Sequence, residues 1–177
     1  MLIRGFALVL ALAVTGPALA EVKSATPNGF EVASIVTIAA PADRVYSAFG
    51  EIGHRWSSSH TFSRDAANLS LELRAGGCFC ERLKDGGSVQ HLQVVYAAPG
   101  QGLRLRGALG PLQMEGVDGT LAWTLKPAEG GTSVTQSYVV GGYIRSGMEQ
   151  WVPRVDRVLD EQLQRLKNFV EGKPLPE

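Results

Sequence analysis

No stretch of this sequence is apolar for long enough to cross a bilayer. The run Phe6 to Val14 falls well short of the roughly 18 to 20 residues a spanning helix needs, and no later segment approaches that length. Charge of one sign is also lacking: 17 Lys and Arg stand against 17 Asp and Glu, with no basic run. The electrostatic footprint of a nucleic-acid or anionic-membrane binder is therefore missing. No G-x-S-x-G elbow, P-loop, G-x-G-x-x-G or H-E-x-x-H occurs, so serine, phosphate, dinucleotide and zinc-protease chemistries lose their usual support and no cofactor is indicated. Cysteine is scarce, with only Cys78 and Cys80.

What is present begins with an export pattern. Met1 and Arg4 precede the apolar run, and Pro17-Ala18-Leu19-Ala20 closes it with an A-x-A cleavage site. Residues 1–20 therefore read as a signal peptide, with a periplasmic or secreted product starting near Glu21 and no integral membrane segment left in it. Residues 21–177 are the size of one domain.

After a short polar leader, Phe30 to Ile38 alternates and is rich in β-branched residues, which predicts a strand. Pro41-Ala42-Asp43 opens a short helix, Arg44 to Phe49. Glu51 to Asn68 has no clean period and reads as a loop with one helical turn at most. From Leu69 to Gly141, alternating segments are cut by Gly, Asp-Gly and Pro-Gly turn signals, which predicts about six antiparallel strands. The last third carries Trp151, Val152, Val155, Val158, Leu159, Leu163, Leu166, Phe169 and Val170 at three- and four-residue steps, an amphipathic helix. Ser146 and Glu149 suggest a capping box at its start, while Pro153 either separates the first turn or bends the helix.

This order predicts an α+β fold, a curved antiparallel sheet of about seven strands wrapped on a long C-terminal helix, with one or two short helices after the first strand. Such packing can leave a cavity between helix and sheet. Val36-Thr37-Ile38-Ala39-Ala40-Pro41-Ala42-Asp43-Arg44-Val45-Tyr46-Ser47-Ala48-Phe49, with the terminal helix, resembles the opening strand and helix of the START/Bet v 1-like (SRPBCC) helix-grip superfamily, the polyketide cyclase/dehydrase and lipid transport group. The resemblance implies a pocket for a small hydrophobic or lipid-like ligand. It transfers no catalytic set, because members of the group include carriers, receptors and enzymes.

The cysteines are two apart, and in an ideal strand their Cβ atoms would lie about 6–7 Å apart against about 3.8 Å for a bridge, which argues against a disulfide. If Asp85-Gly86 is a two-residue hairpin turn, His91 falls opposite Cys80 and Gln93 opposite Cys78, placing Cys78, Cys80 and His91 on one face as a candidate soft-metal site; buried cysteines packing as small hydrophobes are the alternative. The same register puts Phe79, Glu81 and Leu83, with Leu92, Val94 and Tyr96, on the apolar face toward the cavity. Glu81 is then a general acid, a base or a ligand anchor, or else half of an ion pair. His54 and His60 are candidate proton-transfer partners for it, and the resemblance places His54, Trp56 and His60 around the cavity mouth. Trp56, His60, Phe79, Glu81, Leu92, Val94, Trp123, Tyr138, Met148 and Trp151 are the candidate ligand contacts, with core packing as the alternative for the large aromatics. Gly107 to Gly116 is either a lid or a bulged hairpin loop. The readings open at this point are a hydrophobic-ligand carrier, a cyclase- or hydrolase-type enzyme, and a partner-binding module with a filled core.

Overall fold

The computed structural model describes residues 21–176, so residues 1–20, the segment read from sequence as a signal peptide, lie outside it. The chain order is β1 (Glu21–Thr26), β2 (Gly29–Ile38), α1 (Ala42–Gly50), α2 (Ile52–Arg55), β3 (Leu69–Leu71), β4 (Cys78–Arg82), β5 (Ser88–Ala98), β6 (Gly102–Arg106), β7 (Gly116–Ala128), β8 (Gly131–Tyr143) and α3 (Val152–Val170). All eight strands form one antiparallel sheet in the order β1-β2-β8-β7-β6-β5-β4-β3. Six strands lie between Leu69 and Tyr143, as the alternation predicts; the extra one is β1, read from sequence as a polar leader and held by its pairing with β2.

Alternation along the strands sends one face inward. Phe30, Val32, Val36 and Ile38 of β2 are buried, as are Val134, Gln136, Tyr138 and Val140 of β8, and Leu121, Trp123 and Leu125 of β7. That face requires a cover. It is supplied by α1, whose Phe49 stacks on Trp123 at 4.8 Å, and by α3, which buries Val152, Leu159, Leu163 and Leu166. Burying each such side chain contributes roughly 1.5–3 kcal/mol. Two polar groups set where α3 sits: Gln136 donates to the Leu159 carbonyl at 2.8 Å while accepting from Trp123 Nε1 at 2.8 Å, and Gln162 accepts from the Ser57 N–H at 3.0 Å. Gly131 is required where β7 turns into β8, because at φ 147° an added Cβ would collide with the Ile38 carbonyl oxygen.

The start of α3 differs from the sequence reading. Met148–Gln150 form a separate 3-10 turn, Pro153 stands in the first turn of α3 where its missing N–H is harmless, and no side chain caps the helix. Ser146 accepts instead from Trp151 Nε1 at 3.2 Å.

Just past α3, Glu171 closes the fold by accepting from Ala39 N–H at 3.0 Å, Lys167 Nζ at 2.7 Å and Lys173 Nζ at 2.6 Å. Burial alone would raise its pKa, but these donors overturn that effect and pull it down to about 2. A folded-state pKa below the unfolded one stabilises at pH above the unfolded value, and the gain is lost as pH falls through the folded value. Glu171→Gln should therefore cost about 2–3 kcal/mol at neutral pH. That difference should vanish between about pH 4.5 and pH 2; unfolding midpoints of both proteins across this range check it, and a gap persisting at the acid end would sink the assignment.

Candidate functional site

The N-terminal half of α3 and the sheet enclose a cavity of about 480 Å³. Its sheet side is built by Phe79 of β4, His91 of β5 and Tyr138 of β8, and its helix side by Trp151, Arg154, Val155, Val158 and Leu159. Trp56 and Ser59–Phe62 form one flank, Leu109–Leu112 the other. Hydrogen bonds to backbone fix both flanks. Arg165 of α3 donates to the carbonyls of Arg55 and Trp56 at 2.8 and 3.3 Å. On the far side the Tyr138 hydroxyl accepts from Leu109 N–H at 3.0 Å and donates to the Gly107 carbonyl at 2.9 Å. Burial pushes this phenol up to about 12, against a smaller lowering by the Leu109 N–H, so it stays neutral and serves as a strut. Gln113 adds a bond to the Gln90 carbonyl at 2.9 Å, and Gly107–Gly116 is thus a pinned wall holding a 3-10 turn, Gly110–Met114.

Beside the cavity lies a buried, hydrogen-bonded carboxylate–imidazole pair. Glu81 accepts from the N–H groups of Phe62, at 3.1 Å, and Ser63, and from His91 Nε2 at 2.9 Å. Burial opposes ionisation of Glu81, but the donors from Ser63, Phe62 and His91 more than offset it and hold the carboxyl below its ordinary range. Burial also pushes His91 below its ordinary range, only partly countered by Glu81. At neutral pH the pair is therefore a carboxylate beside a neutral imidazole, with the proton on Nε2. Nδ1 is left buried and unpartnered, and the ring sits between Phe79 at 4.9 Å and Phe62 at 5.9 Å.

His91 reaches Glu81 because of a register slip. The hairpin between β4 and β5 turns through three residues, Lys84–Gly86, with Asp85 at φ 57° and Gly86 at φ 78°, rather than the two expected. Arg82 pairs with Ser88 and Cys80 with Gln90; a bulge then restores Phe79 opposite Leu92 and Cys78 opposite Gln93. His91 occupies the bulge and turns to the Glu81 face. The metal face of Cys78, Cys80 and His91 is thereby dissolved, and no cluster of metal-binding side chains exists among the described residues. The two cysteines form a disulfide, contrary to the ideal-strand estimate: with their Cα atoms 5.3 Å apart, the backbone is contracted at this same irregularity.

Of the remaining candidates, Trp56, His60, Phe79, Tyr138 and Trp151 stand in the cavity wall. Leu92, Val94, Trp123 and Met148 are core residues outside it, and Glu81 acts from behind His91. His54 is exposed on α2, away from the cavity. His60 pairs with Glu161 of α3 at 2.9 Å across the mouth, not with Glu81. Sequence reasoning missed Phe62, in a segment with no period; Leu109–Leu112 belong to the Gly107–Gly116 connection read as a lid or a bulged loop, which the structure makes a wall of the cavity. Val155, Val158 and Leu159 were visible only as part of the apolar stripe of α3.

The chain belongs to the polyketide cyclase/dehydrase and lipid transport family, whose sequence profile matches residues 29–171. A search of curated proteins finds no match to the chain. Among solved structures it is similar to an uncharacterized protein of Rhizobium leguminosarum, at 18% identity and TM-score 0.59, covering 89% of this chain and 100% of that one. CalU16 of Micromonospora echinospora is 18% identical with TM-score 0.59, covering 91% and 88%. DynU16, from the dynemicin biosynthetic locus, is 22% identical with TM-score 0.56, covering 83% of this chain and 49% of its own length. At these identities the likeness defines the helix-grip fold.

Proposed function

We propose that the protein binds a small, largely apolar molecule in the cavity between α3 and the sheet, as an exported carrier. The observation that carries this reading is the cavity itself, of about 480 Å³ and walled largely by apolar side chains such as Trp56, Phe79, Leu112, Val155, Val158 and Leu159, with Ser59, His60, Thr61, His91, Tyr138 and Arg154 as its polar ones. Cavities of this size and lining suit small hydrophobic ligands. Family membership supports it. Export is inferred from residues 1–20, and the Cys78–Cys80 disulfide is in keeping with an oxidising compartment. No helix among the described residues is long and apolar enough to cross a membrane.

Native mass spectrometry of the protein purified from its own periplasm, before and after denaturation, tests the reading. An extra mass that leaves on unfolding is expected. A bare protein that also takes up none of a panel of hydrophobic molecules would sink it.

A second reading is favoured by one observation. The Glu81–His91 pair, with a neutral imidazole backed by a carboxylate at 2.9 Å, has the form of a general base. Turnover of a bound molecule that ceases in His91→Gln would select this enzyme reading over simple carriage.

A further inference from the structure

Four buried side-chain polar atoms among the described residues lack a partner: Tyr46 Oη, Arg55 Nη2, Asp160 Oδ1 and His91 Nδ1. Only His91 belongs to the cavity wall. Buried polar atoms are nearly always satisfied, so an unpartnered acceptor on a residue of the cavity wall marks where a ligand's donor can bind. The chemistry of that partner is fixed by the other ring nitrogen. Nε2 donates to a carboxylate that only accepts, so Nδ1 offers a lone pair and requires a donor.

We infer that His91 Nδ1 is the polar anchor of the cavity and accepts a hydrogen bond from a hydroxyl group of an otherwise apolar, aromatic ligand. This rests on the cavity-binding reading above and adds the ligand's class. An aromatic body suits the site because Phe62, Phe79, Trp56 and Trp151 surround the space. Phe62, stacked on His91 and 52% exposed, would have to swing aside for a ligand to reach Nδ1. The Tyr138 hydroxyl does not compete as a donor, because its proton is committed to the Gly107 carbonyl.

Two probes of nearly equal shape test the assignment, 2-naphthol, which has the hydroxyl, and 2-methoxynaphthalene, which does not. Their dissociation constants are measured by fluorescence at about pH 8, where imidazole is neutral. The wild-type protein should prefer 2-naphthol by about tenfold or more, the penalty for leaving a buried acceptor unmet. His91→Phe should bind both equally. As pH falls through the His91 transition, Nδ1 gains a proton and becomes a donor, and the preference should disappear.

The other titratable groups lining the cavity are His60, Tyr138 and Arg154, with Glu81 behind His91 and Glu161 paired to His60. If His91→Phe fails to fold, nitrogen NMR of the wild-type ring decides: 2-naphthol should shift the Nδ1 resonance and 2-methoxynaphthalene should not. Equal binding of both probes to wild type, a preference that survives His91→Phe, or an unmoved Nδ1 resonance overturns the anchor while leaving the cavity reading intact. Failure of both probes to bind overturns the two together.

Discussion

Glu81→Ala is expected to lower the free energy of unfolding by about 3–5 kcal/mol, the range for breaking a buried, hydrogen-bonded charge. For a domain of this size that is a fall in Tm of roughly 6–20 °C. The carboxylate is fully buried, and the N–H groups of Phe62 and Ser63 and Nε2 of His91 converge on it. Deleting it strands three donors away from water, each at a cost of about 1–3 kcal/mol when unsatisfied. Glu81→Gln keeps one acceptor oxygen but aims an amide N–H₂ at existing donors, so it should fall between alanine and wild type. The exposed pair Arg74–Glu72 supplies the contrast, with both side chains more than half exposed; its loss should cost under about 1 kcal/mol. Chemical denaturation of the three variants reads this directly. A Glu81→Ala loss no larger than that of Glu72→Ala would show that the buried network does not anchor the flank.

The largest functional effect is expected from Val158→Trp. Val158 is half-buried on α3 and lines the cavity, so an indole there occupies the space a ligand needs. Affinity for 2-methoxynaphthalene should fall by about a hundredfold, equivalent to about 2.7 kcal/mol, while the helical signal and unfolding midpoint stay close to wild type. The cavity is the reason the extra volume is tolerated. Leu163, one turn further along, is fully buried in solid core. Leu163→Trp should therefore destabilise by about 1–3 kcal/mol through overpacking. Unchanged affinity in Val158→Trp would place the ligand elsewhere on the protein.

Strands and their inward faces were legible because period-two alternation is dense from Leu69 to Tyr143, and the helical stripe of α3 was equally plain. The burial of Phe79 and Glu81 on one face followed from the same alternation. What escaped was a single residue of register. A turn through Lys84–Gly86 rather than Asp85-Gly86 shifts every pairing by one, and the bulge at His91 cancels the shift only beyond it. Each one-residue slip exchanges the faces of a strand. His91 thus moved from the cysteines to Glu81, and the cysteines became close enough to bond. No periodicity carries such information, since turns and bulges are decided by local backbone conformation and by tertiary packing. Phe62 was equally hidden, its position set by two backbone N–H groups reaching a carboxylate eighteen or nineteen residues away.

The pairing of β2 with β8 also constrains the order in which the molecule can be completed. Gly29 meets Gly141 and Ile38 meets Thr132, so the strand synthesised near the beginning waits for one synthesised near the end. Until β8 and α3 are in place, β2 has only β1 as a main-chain partner and the cavity lacks its helix wall. Closing so long a loop is entropically costly and is repaid only when the final strand and helix dock. Closure of the cavity is therefore a late step, and a chain truncated before Val152 should leave the inner face of the sheet without the cover of α3.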